Sequence, residues 1–203
     1  MRPRYPGHRP RPTPRPRHPR HRPLRQPLRR PDRPHPPRRR HHPGLPRRTP
    51  TPAPAPDGLA EALGATPQAT YRTGALGDLL AVLADEATIR AITPYLAALA
   101  HLTRRDGIRG IIATAPADDP DRGYDFVSRY FAPAGGIPED PVTGSAHTAL
   151  APYWSHRLGR DRLTGLQASA RTGLVHTAVR GDRVHLTGHA VTILDGALHH
   201  PAG

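Results

Sequence analysis

Residues 135–147 read GGIPEDPVTGSAH, and this stretch combines turn-forming residues, two acids and the start of a helix. Two prolines flank Glu139-Asp140, which disfavours helix there and predicts an extended or turning path. Thr143-Gly144-Ser145 then offers N-cap chemistry, and residues 146–158 have the pattern of a helix. The stretch is therefore predicted to lead the chain from a loop into the first turn of a long helix.

The first turn of this helix is a candidate anion-binding site. Gly144 has no side chain to block approach, so the amides of Gly144, Ser145 and Ala146 are predicted to face a ligand. Unpaired N–H groups and the partial positive charge of a helix N-terminus suit a carboxylate or phosphate oxygen. Asp140 lies one loop turn away, close enough to handle a proton on a bound group. An ordinary loop-to-helix junction is the alternative, and spacing alone favours it because such junctions are common.

The segments on either side predict many short strands and few helices. The helix beginning near Ser145 is apolar on most of its sides, which indicates burial within a sheet rather than a surface position. These patterns predict an α+β fold. The other predicted helices are 57–64 and 86–102, the latter interrupted at Pro94, and the predicted strands are 69–73, 76–83, 108–115, 125–131, 167–171, 174–180, 184–186 and 191–194.

Charge is distributed very unevenly along the chain. A formal net charge of +14 would by itself suggest a nucleic-acid partner. However, residues 1–57 contain 17 Arg and two acids, whereas residues 58–203 contain 13 Arg and 14 acids. The basic character therefore belongs to the leader, and nucleic-acid binding is not expected of the near-neutral remainder.

The leader, residues 1–57, is predicted to be disordered with polyproline II character. It contains 19 prolines, and Leu24, Leu28 and Leu45 are its only aliphatic residues larger than alanine, so little apolar burial offsets the entropy of ordering. Three interpretations are open: a basic arm for nucleic acid, a solvated tail, or a GC-rich reading frame translated out of register.

Two features that the sequence lacks bear on the cellular compartment of the protein. The sequence has no cysteine, which is consistent with a reducing cytoplasm. It also has no run of 18 apolar residues, so no membrane-spanning helix is expected.

Several motifs in order resemble the PhzF-like family of phenazine biosynthesis. They are DFVSRYFAP at 125–133, GIPEDPVTGSAH at 136–147, LAPYW at 150–154, QASARTG at 167–173 and VHLTGHAV at 184–191. The resemblance covers residues 58–203, which corresponds to the second half of a typical member. It implies a diaminopimelate-epimerase-like domain, in which a curled, mostly antiparallel sheet surrounds a central helix.

The resemblance also implies a cofactor-free isomerase that shifts a proton on a small carboxylate-bearing substrate. Asp140 matches the family's second-half acid, and Ser145 matches its small polar residue at the helix start. Asp140 would position substrate and relay a proton, while Gly144, Ser145 and Ala146 would hold a carboxylate or an enolate-like oxyanion. No metal and no cofactor are expected.

The first-half motif that supplies the family's catalytic glutamate has no counterpart in this sequence. The chain contains only Glu61, Glu86 and Glu139, of which the first two are predicted to lie on surface helices. We therefore expect half of an active site and no isomerisation by the chain as written. Since the leader stands where a member would keep its first domain, the out-of-register interpretation is favoured. The alternative functions are a basic-tailed nucleic-acid-binding protein and a non-catalytic protein that binds small carboxylates. A homodimer is left open.

Overall fold

The computed structural model of the protein describes residues 44–189 and Leu194, which lie within one compact unit. The chain forms ten strands and four α-helices in this part. They are β1 (Leu45–Pro46), β2 (Thr51–Pro52), α1 (Leu59–Leu63), β3 (Ala69–Arg72), β4 (Leu79–Val82), α2 (Glu86–Ala91), α3 (Leu96–Arg105), β5 (Ile111–Pro116), β6 (Phe126–Ala132), β7 (Ile137–Asp140), α4 (Gly144–Leu158), β8 (Arg162–Gln167), β9 (Gly173–Arg180) and β10 (Arg183–Thr187).

All ten strands belong to one sheet in the order β1-β10-β9-β8-β6-β5-β4-β3-β2, with β7 paired to β6 outside this path. Of the nine strand pairings, only β4–β5 and β6–β8 are parallel. The mixed, mostly antiparallel, curled sheet with few helices confirms the predicted α+β class.

Strand β6 organises the region of the site because one of its edges is shared by two strands. Its first half, Phe126 to Ser128, pairs with β8, and its second half pairs with β7 through Tyr130 and Ala132. Since β5 occupies the other edge, β7 and β8 must meet end to end along β6. Helix α4 connects them, so its first turn begins beside this meeting point.

Helix α4 is the central helix that the sequence predicts. Nine consecutive residues, 146–154, are buried, and the rings of Phe126 and Trp154 stack with their centroids 5.8 Å apart. The helix ends at Gly159, whose left-handed backbone (φ 66°) lets its N–H donate to the Ser155 carbonyl. Helices α1 to α3 pack on the opposite face of the sheet, so the middle strands are buried on both sides.

Most predicted elements are present, but one strand was placed wrongly. The prediction at 167–171 is incorrect because the strand runs from Arg162 to Gln167 and the following residues turn into β9, where Gln167 pairs with Gly173. Residues 168–173 contain no apolar side chain larger than alanine, which explains the turn. The predicted strand at 191–194 falls outside the described residues except for Leu194.

Part of the predicted leader contributes to the sheet. Leu45–Pro46 pairs with β10, and Thr51–Pro52 pairs with β3. The amide of Arg48 also donates to the Thr148 carbonyl of α4 over 3.0 Å. The sheet therefore begins before the predicted boundary at residue 57, while the rest of the leader, 1–43, lies outside the described residues. Within the described residues, no helix is both long and apolar enough to cross a membrane.

Candidate active site

A hydrogen-bonded cluster joins the ends of β7 and β8 to the start of α4. The carboxylate of Asp140 accepts a hydrogen bond from the Thr143 hydroxyl over 2.7 Å. Gln167 completes the cluster, since its Oε1 accepts from the Thr143 amide over 2.7 Å and its Nε2 donates to the Asp140 carbonyl. Ser169 donates to the same carbonyl over 3.2 Å. The backbone of Asp140 is thus fixed, and its carboxylate is held at the N-cap residue of α4.

The N-cap of α4 differs from the sequence prediction in one respect. Thr143 is the N-cap residue, but its side chain does not bond to the first turn because it is engaged by Asp140 and Gln167. The amides of Gly144, Ser145 and Ala146 donate to no described residue outside α4. Gly144 is exposed, Ser145 is half-buried and Ala146 is buried. Among the described residues, the amides of this turn are left without a partner outside the helix, as expected for a first turn.

Ser145 is held by an arginine that the sequence does not single out. Arg109 Nη2 donates to Ser145 Oγ over 3.1 Å. The same guanidinium makes two hydrogen bonds to Asp78, at 2.9 and 2.5 Å, and Tyr130 donates to Asp78 over 3.1 Å. The Asp78 side chain is 0% exposed, whereas that of Arg109 is 46% exposed.

Burial and pairing set the ionisation of this group. Burial raises the pKa of Asp78 above 3.8, and the bonds from Arg109 and Tyr130 oppose that rise. The hydrogen bonds to Asp78 raise the pKa of Arg109, so the guanidinium stays charged. Burial, followed by the nearby Asp78 charge, raises the pKa of Tyr130, which therefore donates as a neutral phenol.

Two glycine-containing dipeptides place the Arg109–Asp78 pair. Gly77-Asp78 precedes β4, and Arg109-Gly110 precedes β5. These two strands are parallel and begin at the same end of the sheet. The amide of Arg109 donates to the Gly77 carbonyl over 2.8 Å. Gly110 is required because a Cβ there would overlap the Tyr130 side chain. Gly-Asp and Arg-Gly at the starts of two neighbouring strands are a signal that sequence reasoning could have used.

His147 lies directly behind the site and is 0% exposed. Its Nδ1 lies 2.8 Å from the Thr143 carbonyl, which can only accept, so Nδ1 carries the proton. Its Nε2 has no hydrogen-bond partner among the described residues. Burial lowers the pKa of His147, an effect that the bond to Thr143 partly offsets, and the ring is neutral at pH 7.

The three glutamates do not contribute a free carboxylate to this site. Glu61 lies exposed on α1, on the other side of the sheet. The predicted surface position of Glu86 is wrong: its side chain is 2% exposed. Burial opposes its ionisation, but bonds from Arg90 and Tyr124 hold its pKa below 4.5. Glu139 is paired with Arg129 at 2.7 and 2.9 Å.

A groove of about 700 Å³ runs past the start of α4. Gly144 forms part of its wall, and the apolar side chains of Val142, Leu174 and Leu186 lie beside it. Val142 and Leu174 are among the exposed large apolar residues. The groove therefore places an apolar surface next to Gly144 at the start of α4.

The sequence matches the model of one protein family, described as phenazine biosynthesis-like protein, over residues 50–196. The chain belongs to the PhzF-like family. An uncharacterized isomerase of Pseudomonas aeruginosa is 46% identical over 155 residues, which cover 76% of this chain and 56% of the relative. A phenazine biosynthesis-like domain-containing protein of Rattus norvegicus is 38% identical over 117 residues, covering 56% of this chain and 41% of the relative.

Solved structures of PhzF-like proteins share the fold described above. A PhzF-family protein of Enterococcus faecalis superposes with a TM-score of 0.62 at 38% identity, covering 73% of this chain and 56% of that one. A PhzC/PhzF protein of Clostridium difficile gives a TM-score of 0.64 at 32% identity, covering 76% and 56%. This PhzF-like chain thus spans about half the length of the relatives that it matches.

Proposed function

We propose that this chain forms one half of the active site of a cofactor-independent isomerase that shifts a proton on a small carboxylate-bearing substrate. The observation that supports it most is the carboxylate of Asp140, fixed at the start of a buried helix whose first-turn amides donate to no described residue outside the helix. An acid beside a set of anion-binding donors is what a proton shift next to a carboxylate requires. The family and the isomerase names of its relatives agree with this reaction class.

In this proposal the two sides of the site have different roles. The amides of Gly144, Ser145 and Ala146 hold a substrate carboxylate or the oxyanion that develops as a proton leaves carbon. Asp140 positions the substrate and relays the proton, because its backbone is fixed by Gln167 while its carboxylate borders the helix start. The groove beside Gly144 accommodates the carbon skeleton on its apolar wall.

The second proton-transfer group would come from a segment outside residues 44–189. Within that range Glu61 is on the far side of the sheet, and Glu86 and Glu139 are held by ion pairs. An isomerase needs a base and an acid on the reacting carbons, and Asp140 is the one free carboxylate that this part of the chain presents at the helix start. The described domain alone is therefore expected to bind a carboxylate without isomerising it.

The first test uses ¹⁵N-labelled protein titrated with benzoate as a plain carboxylate probe. We expect the largest shifts at the amides of 144–146. Asp140→Asn should bind benzoate about as well as the wild type or up to threefold better, because a like charge is removed. Asp182→Asn, at the exposed β9–β10 turn, is the matched control. Benzoate shifts that avoid 144–146 would contradict the proposal.

A second measurement separates binding from catalysis. The purified chain is incubated in D₂O with a panel of small unsaturated carboxylic acids, and deuterium on carbon is followed by NMR. We expect no incorporation by this chain. Incorporation that Asp140→Asn abolishes would show that the half-site assignment is wrong, and that the chain carries a complete proton-transfer pair.

A further inference from the structure

We propose that Arg109 is a positioning residue that commits the Ser145 hydroxyl to donating a hydrogen bond, so that the site selects ligands with an anionic oxygen. This inference rests on the proposed function, since it concerns the group that Ser145 would hold. Arg109, Asp78 and Tyr130 form the arrangement that carries it, and none of them was assigned a role by the sequence motifs.

The hydrogen bond between Arg109 and Ser145 can have only one direction. A guanidinium has donors and no acceptor, so Ser145 Oγ must accept the 3.1 Å hydrogen bond from Arg109 Nη2. The hydroxyl proton of Ser145 must then point elsewhere. It donates to no described residue, and the half-buried side chain lies in the open first turn of α4. The proton is therefore free for a ligand.

Arg109 acts through Ser145 because its guanidinium is held in place by Asp78. Its Nε and Nη2 atoms are tied to the two carboxylate oxygens of Asp78, which is completely buried. Asp78 is itself fixed by the Tyr130 hydroxyl and by the Thr73 hydroxyl, which donates to the Asp78 carbonyl over 2.9 Å. Swinging the guanidinium toward a ligand would leave the buried carboxylate unpaired, which is costly. Arg109 is thus a fixed donor to Ser145.

The hydrogen bond from Arg109 changes how Ser145 interacts with a ligand. A hydroxyl whose oxygen accepts from a cation is a stronger donor, because successive hydrogen bonds polarise one another. The same contact makes Ser145 a poor acceptor and excludes it as a general base. A carboxylate or enolate oxygen is matched to the Ser145 hydroxyl proton, whereas an amide –NH₂ or an ammonium group at that position would face a donor. The discrimination follows from leaving polar groups unpaired.

The first experiment measures the Ser145 side chain without any ligand. Homonuclear Hα–Hβ coupling constants report its χ1 rotamer in the wild type, in Arg109→Ala and in Arg105→Ala, an exposed arginine paired with Asp106 on the other side of the sheet. We expect one rotamer in the wild type and in Arg105→Ala, and averaged couplings in Arg109→Ala. A single unchanged rotamer in Arg109→Ala would overturn the inference.

Because Arg109→Ala leaves Asp78 buried without its partner, a second variant guards against misfolding. Arg109→Ala combined with Asp78→Asn removes both charges, so no uncompensated carboxylate remains. Averaged Ser145 couplings in this folded double variant would support the positioning role. A single wild-type rotamer would contradict it in the same way as in the single variant.

The second experiment is a double-mutant cycle on benzoate binding, with benzamide as the neutral comparison. We expect Ser145→Ala and Arg109→Ala each to weaken benzoate binding roughly tenfold and to reduce the preference for benzoate over benzamide. In the Ser145→Ala background, Arg109→Ala should then add less than twofold. Fully additive losses would show that Arg109 contacts the ligand itself, which overturns the inference.

The two proposals fail in different ways. Absence of benzoate binding by the wild type contradicts the carboxylate site of the proposed function, and the ligand-free couplings then decide the role of Arg109. Normal benzoate binding with an unchanged Ser145 rotamer in Arg109→Ala leaves the proposed function standing and rejects the positioning role.

Discussion

At the scale of the single residue, two glycines near α4 differ in what an added side chain would contact. Gly165 lies on β8 facing α4, and a Cβ there would lie 2.5 Å from ring atoms of the fully buried Phe126 and 3.2 Å from His147 Nε2. Gly144 opens the helix, and the nearest atom to a Cβ there is Leu186 Cδ1 at 3.8 Å, an ordinary contact. The first glycine is needed for packing, while the second is needed only if a ligand approaches the amides.

We predict that Gly165→Ala lowers the free energy of unfolding by about 1–3 kcal/mol, because the added methyl overpacks a core that cannot yield. Gly144→Ala should leave stability unchanged or raise it by up to ~0.5 kcal/mol, since alanine is the better helix former. Urea denaturation of both variants checks this. Equal destabilisation by the two substitutions would show that Gly144 has a structural role after all.

At the scale of the element, the short strand β7 depends on one ion pair. Arg129 on β6 bonds to Glu139 on β7 and also donates from Nη1 to the carbonyls of Ile89 and Ile92, at 3.3 and 2.7 Å. One side chain thereby links β7 to the end of α2. Because Asp140 directly follows Glu139, the position of the candidate acid depends on this link.

Glu139→Gln is predicted to lower the free energy of unfolding by about 1–3 kcal/mol, because the mostly buried guanidinium loses its charged partner. Glu61→Gln, the same change on the exposed surface of α1, should cost less than ~0.5 kcal/mol. Urea denaturation measures both. A loss at Glu139 no larger than that at Glu61 would mean that backbone pairing alone holds β7.

At the scale of the whole molecule, His147 couples protonation to global unfolding. The neutral ring is buried between α4 and Phe126, with ring centroids 6.2 Å apart. Since its pKa is lowered in the folded protein, the unfolded chain binds a proton more readily below about pH 6.5. The stability contributed by the neutral ring is therefore complete above that pH and is lost as the pH falls.

We predict that the free energy of unfolding decreases from pH 7.5 to pH 5, with His147 contributing a slope of at most about 1.4 kcal/mol per pH unit. His147→Asn keeps a donor for the Thr143 carbonyl without titrating and should flatten the slope. His156→Asn, an exposed change on the same helix, should leave it intact. Urea denaturation across this range provides the measurement, and an equal slope in all three proteins would exclude His147 as the cause.

The sequence predicted this architecture where local pattern and burial agree. The apolar character of α4 and the strands predicted at 174–180 and 184–186 each match an observed element. The sequence also predicted that Asp140 and Ser145 lie near the helix start, because these residues are close in the chain. Arg109 and Asp78 were missed because Arg109 lies 31 positions from Asp78 and 36 from Ser145 in the sequence. Glu86 was misplaced because its partners Tyr124 and Asp118 lie 38 and 32 positions away.

The uninterrupted burial of residues 146–154 restricts how a protein of this kind can acquire a new substrate preference. Almost any exchange along that run disturbs the core, so a mutational library would retain few changes there. Variation that survives has to fall outside that run, on the surfaces that face the first turn of the helix. The amides of the first turn would then stay the same, while the shape of the substrate that fits beside them changes.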